Sequence, residues 1–116
     1  MPSVKKLLAL AAAGSAAAAL ALPAMAATTK TVKLGDDWFV KKGSSVPTVR
    51  VKKGDTVKWV WSGKERHNVY QVGGPGHFHS PTHAKSGTFR HKFTVKGTYR
   101  FQCTYHLPMK MNVKVS

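Results

Sequence analysis

The stretch FQCTYHLPMKMNVKV, residues 101–115, limits the possible fold more than any other part of the chain. It sets Cys103, His106 and either Met109 or Met111 within nine residues, between two segments of alternating apolar and polar side chains. In an extended chain Tyr99, Phe101 and Cys103 share one face, while Arg100 and Gln102 point the other way. The thiol is then aimed at an interior from the end of a strand, and the following loop can return His106 to its side. Thiolate, imidazole and thioether form a soft donor set that suits copper better than magnesium or calcium. One more nitrogen completes the set, and His67 in RHNVY can supply it. A buried cysteine acting only as a small hydrophobe would leave His106 and the apolar run Leu107-Pro108-Met109 unexplained. A nucleophilic thiol would sit at a helix start or beside an activating base.

The remaining chain reads as short strands separated by turn signals. Residues 31–34 and 37–40 give an opening strand and a turn, and 46–51 is extended around Pro47, which suits a sheet edge. After the turn Lys53-Gly54-Asp55, residues 56–61 place Val57, Trp59 and Trp61 on one face. Residues 67–72 follow a polar turn, and Gly73-Gly74-Pro75-Gly76 breaks the chain firmly. Residues 86–95 and 98–103 flank Lys96-Gly97, and 112–115 closes the chain. No helical period of useful length appears after residue 26. The pattern predicts an all-β fold, an antiparallel Greek-key β-sandwich of about seven to eight strands.

Residues 1–26 read as a secretory signal peptide: Lys5 and Lys6, an apolar run from 7 to 22, then the cleavage signal Ala24-Met25-Ala26. Cleavage there leaves a single domain, 27–116. No Arg-Arg pair precedes the run, which favours the general secretory route. The expected location is periplasmic or secreted, with no stable membrane insertion after cleavage. The leader holds two of the 19 basic residues and none of the four acidic ones, so 17 against four remain, a net +13. The bases are scattered rather than gathered into one tract, and export removes most nucleic acid, so none is expected as a partner. The charge reads instead as a steering surface for an acidic partner. A single cysteine in an exported chain has no internal disulfide partner, so it is a buried thiol or a working ligand.

With these residues in view, the chain resembles the cupredoxins, the small blue copper proteins that include plastocyanin, pseudoazurin and amicyanin. The resemblance rests on His67-Asn68-Val69, then YRFQCTYH, then Met109 or Met111, then NVKV, and spans essentially all of the chain after the leader. It implies a type 1 copper held by His67, Cys103, His106 and an axial methionine. In the family the apolar residues of the last strand fall four and six places after that methionine. From Met109 these are Val113 and Val115, whereas from Met111 the second lies beyond Ser116. Met109 is therefore the expected axial ligand, with Met111 as the alternative and otherwise a core filler. The resemblance also implies that Asn68 hydrogen-bonds to the Cys103–Thr104 segment, and that His106, ringed by Leu107 and Pro108, is the electron exit.

Three features depart from the family pattern. Tyr105 replaces the proline common between the cysteine and second histidine. Trp61 and Ser62 stand where small polar residues are frequent. His77, His79, His83 and His91 decorate one segment, either as a second metal site or as an ordinary polar loop and strand. The expected function is a monomeric, non-enzymatic shuttle of single electrons to a redox protein with an acidic docking surface. The alternative is a copper carrier that draws extra affinity from the histidine segment.

Overall fold

The computed structural model describes residues 26–43 and 45–116. The leader segment, apart from Ala26, lies outside the described residues. Ten strands follow in order: β1 (Thr29–Gly35), β2 (Trp38–Phe39), β3 (Thr48–Val51), β4 (Thr56–Trp61), β5 (Arg66–His67), β6 (Tyr70–Gly73), β7 (His83–Ala84), β8 (Gly87–Lys92), β9 (Gly97–Gln102) and β10 (Lys110–Val115). Three of these have only two residues, so the seven longer strands match the expected number. Among the described residues no helix is long and apolar enough to cross a membrane.

Two four-stranded sheets, ordered β2-β1-β4-β8 and β3-β10-β9-β6, face each other, and β5 and β7 form a small third pair. Strand alternation explains the layering. Val57, Trp59 and Trp61 of β4 turn inward, as do Tyr99 and Phe101 of β9 and Met111, Val113 and Val115 of β10. Trp59 is wholly buried at the centre, with its ring 5.4 Å from that of Phe101 and 5.9 Å from that of Phe89.

The sandwich is as expected, but its sheets are mixed rather than purely antiparallel. β1 runs parallel to β4 and β10 runs parallel to β3. Parallel neighbours need a long crossover. Here the chain leaves β1, contributes β3 to the opposite sheet and returns as β4, so the crossing itself supplies that length. The strand expected over 67–72 is also divided. His67 pairs with His83 in the small sheet, whereas Tyr70 pairs with Gln102 in β9. The chain changes sheets at Asn68-Val69, and the candidate site forms at that break.

At the opposite end Asp55 ties three segments together. Its carboxylate accepts hydrogen bonds from the Thr28 N–H (2.9 Å) and the Lys52 N–H (2.8 Å). These bonds, the Thr28 one foremost, hold its carboxyl below the usual value of 3.8. A depressed folded-state pKa gives stability that is fully present above about pH 4 and is lost as pH falls through the folded value. Asp55→Asn keeps the shape but turns an N–H₂ toward one backbone N–H. Thermal unfolding of this variant should show a melting temperature several degrees lower at neutral pH, and the gap to the parent should close on acidification.

Candidate metal centre

Cys103 is the first residue after β9, placed there by the alternation that buries Tyr99 and Phe101, and it is itself fully buried. The loop that follows folds back through two backbone bonds: Met109 N–H donates to the His106 carbonyl (2.9 Å), and Cys103 N–H donates to the Met109 carbonyl (3.0 Å). His106 is thereby returned beside Cys103, with its Nδ1 3.9 Å from Sγ. His67, wholly buried at the end of β5, brings its own Nδ1 to 3.8 Å from the same sulfur. The two imidazole rings lie 4.7 Å apart between centroids.

These sulfur–nitrogen distances are long for hydrogen bonds, but they fit the edges of a coordination triangle. An ion with bonds of about 2.3 Å to sulfur and about 2.0 Å to nitrogen, at trigonal angles, gives edges of about 3.7 Å. The three donor atoms lie within 4.8 Å of one another. Thiolate with two imidazoles is a set that fits copper. A single ion fits between them with little rearrangement.

The two methionines occupy different surroundings. Met111 is fully buried within β10, and its sulfur accepts a hydrogen bond from Trp59 Nε1 at 3.3 Å. It is held by the core between the sheets. Met109 is also buried, but it sits in the loop and is bonded through its backbone to both Cys103 and His106.

The structure pairs Asn68 with Thr104 through two bonds. Asn68 Nδ2 donates to Thr104 Oγ1 (3.0 Å), and Thr104 N–H donates to Asn68 Oδ1 (2.9 Å). Leu107, 64% exposed, and Pro108 flank His106 at the surface, with Tyr105 beside them. Among the described residues, the groups of three or more His, Cys, Asp or Glu donors within reach of one ion are His67–Cys103–His106 and Asp37–Glu65–His106. His77, His79, His83 and His91 belong to neither. Each packs on an aromatic ring instead: His77 and His79 on Tyr70, His83 on Trp61, and His91 on Phe78 at 3.7 Å. Burial also pushes the His91 pKa down, favouring its neutral form.

Sequence reasoning missed Asp36. It lies in the turn between β1 and β2, and its Oδ1 is 2.8 Å from His67 Nε2. The same carboxylate accepts the Lys64 and Glu65 backbone N–H groups at 3.0 Å. The His67 bond and then the Glu65 bond hold its pKa down at about 2. Nothing in the local sequence marks it, because the contact is made across 31 residues. Asp37 and Glu65 lie near His106 Nε2, at 3.8 and 3.3 Å, so three of the four acidic residues gather at this end of a strongly basic chain.

Residues 45–116 match the family model described as copper binding proteins, plastocyanin/azurin family. The chain is 35% identical over 108 residues to amicyanin-alpha of Methylorubrum extorquens, covering 90% of this chain and 91% of that one. It is 34% identical over 80 residues to amicyanin of Paracoccus denitrificans, covering 66% and 61%. The solved structure of the reduced state of an amicyanin mutant superimposes with a TM-score of 0.64 at 31% identity, over 76% of this chain and 82% of that one. With the fold and the donor set in agreement with these matches, the chain belongs to the plastocyanin/azurin family of copper-binding proteins, a cupredoxin with copper as its cofactor.

Proposed function

We propose that this protein is an exported electron carrier, in which His67, Cys103 and His106 would hold one type 1 copper with the Met109 sulfur as a weak fourth donor. The observation that carries the reading is the convergence of Cys103 Sγ with the two Nδ1 atoms at 3.8 and 3.9 Å. When bound, copper supplies a one-electron Cu(II)/Cu(I) couple. The chain's own residues do the rest. His67 and Cys103 are fully buried, which excludes water from their side of the site. The backbone bonds of the 103–109 loop and the Asn68–Thr104 pair fix the donors, so little movement should accompany a change of charge. The choice of Met109 is supported by its place in this loop and by the engagement of the Met111 sulfur with Trp59. With protein donors filling the positions, no open one is left for substrate, which supports a carrier rather than an enzyme.

Electrons enter and leave through His106, the partly exposed member of the set, within the apolar patch of Leu107, Pro108 and Tyr105. The positive charge of the chain as a whole draws in a redox protein with an acidic docking surface. Asp37 and Glu65 beside His106 repel such a surface locally, which orients the partner with its acidic groups turned away from the exit. Such contacts are small and transient, and the carrier is monomeric and periplasmic. Delivery of copper is less well supported, because it drew on the histidine segment, whose four residues pack on three aromatic rings, Tyr70, Trp61 and Phe78.

Titration of the purified chain with Cu(II) should give an intense blue absorption band and narrow copper hyperfine splitting in EPR. Cys103→Ala should abolish both. Met109→Leu should shift the band and the reduction potential. Met111→Leu should leave the spectrum in place but lower stability by about 1–3 kcal/mol, because the buried Trp59 N–H loses its sulfur acceptor. A pale Cu(II) spectrum, or a shift with the Met111 variant alone, would overturn the corresponding part of this reading.

A further inference from the structure

We infer that Asp36 is a positioning residue of the copper centre, fixing the His67 ring with Nδ1 toward Cys103 and biasing the bound ion toward its oxidised state. The inference rests on the reading of His67 as a ligand.

An ionised carboxylate only accepts hydrogen bonds, so at 2.8 Å from Asp36 Oδ1 the Nε2 atom of His67 carries the ring proton. Its Nδ1, 3.8 Å from Cys103 Sγ, is then left with a free lone pair on the metal side. A carboxylate on the outer nitrogen also raises the basicity of the ring. A more basic donor favours the higher charge, so the reduction potential falls.

The carboxylate is itself held in place. Lys64 and Glu65 N–H groups donate to it, and a Cβ added at Gly63 would collide with it. From the far side, Trp61 Nε1 donates to the His67 carbonyl at 2.8 Å, and His67 pairs with His83 across β5 and β7. The turn after β1, remote in sequence from every donor, is thus built into the centre. Among the described residues His106 has no such fixed partner, since Asp37 and Glu65 stand 3.8 and 3.3 Å from it and are largely exposed. The two imidazoles are therefore unequal, one locked and one adjustable.

The test uses the full chain with Asp36→Asn, Asp36→Ala, Gly63→Ala and, for comparison, Asp37→Asn. The last removes an equal charge from the same end without touching His67. A blue band retained in Asp36→Asn shows that the ligand set stands, so the inference is judged separately from the proposed function. Asp36→Asn should then weaken Cu(II) binding relative to Cu(I) about tenfold, a rise of about 59 mV in potential. Asp37→Asn should shift it less, and Gly63→Ala should shift it in the same direction as Asp36→Asn. Nitrogen-15 NMR of the metal-free and Cu(I) forms should show a slowly exchanging His67 Nε2 proton in the parent and its loss in Asp36→Ala. An unchanged potential in Asp36→Asn, a shift no larger than that of Asp37→Asn, or a His67 proton unaffected in Asp36→Ala would each overturn the assignment.

Discussion

The paired hydrogen bonds between Asn68 and Thr104 hold the segments that carry His67 and Cys103 in one place. Asn68 follows His67 where the chain leaves the small sheet, and Thr104 follows Cys103 where β9 ends. Neither segment is part of a long ladder at that point, so regular sheet pairing alone would leave each free to move. The amide of Asn68 offers an acceptor and a donor that match the backbone N–H and hydroxyl of Thr104. One side chain thereby closes the gap between two strand ends. Sheet packing behind them, centred on Trp59, provides the stiff wall against which the clamp works.

That arrangement makes the centre a property of the fold more than of the metal. The donors are brought together by a backbone-bonded loop, a side-chain clamp and a carboxylate on the back of His67. A site so prepared imposes similar surroundings on either oxidation state, which is the physical requirement for rapid one-electron transfer. Charge is distributed to the same end. The basic residues are spread over the sheet faces and turns, while Asp36, Asp37 and Glu65 collect around the two histidines. Under the proposed reading, a partner approaching from a distance would meet net positive charge. At contact the proposed docking face would present an apolar rim with acidic groups beside His106.

Much of this could be read from the sequence, and the reasons are local. Alternation at Tyr99, Phe101 and Cys103 fixed which way the thiol faced, and the short spacing to His106 required the loop to turn back. Through the family resemblance, the spacing of Val113 and Val115 favoured Met109 over Met111 as the proposed ligand, and the Trp59–Met111 contact is consistent with a core role for Met111. What escaped was non-local. The parallel pairing of β1 with β4 depends on how the chain crosses between sheets, which strand patterns do not encode. Asp36 reaches His67 across 31 residues, and an aspartate in a turn has an ordinary explanation as a turn residue. The histidine-rich segment shows the reverse case, since a suggestive composition resolved into contacts with aromatic rings.

The most direct test of the account is X-ray absorption at the copper edge on the loaded protein in both oxidation states. A prepared centre predicts one short copper–sulfur and two copper–nitrogen distances in Cu(II), retained with little change in Cu(I). Loss of a nitrogen on reduction at neutral pH, or a first shell of nitrogen and oxygen without the sulfur, would contradict it.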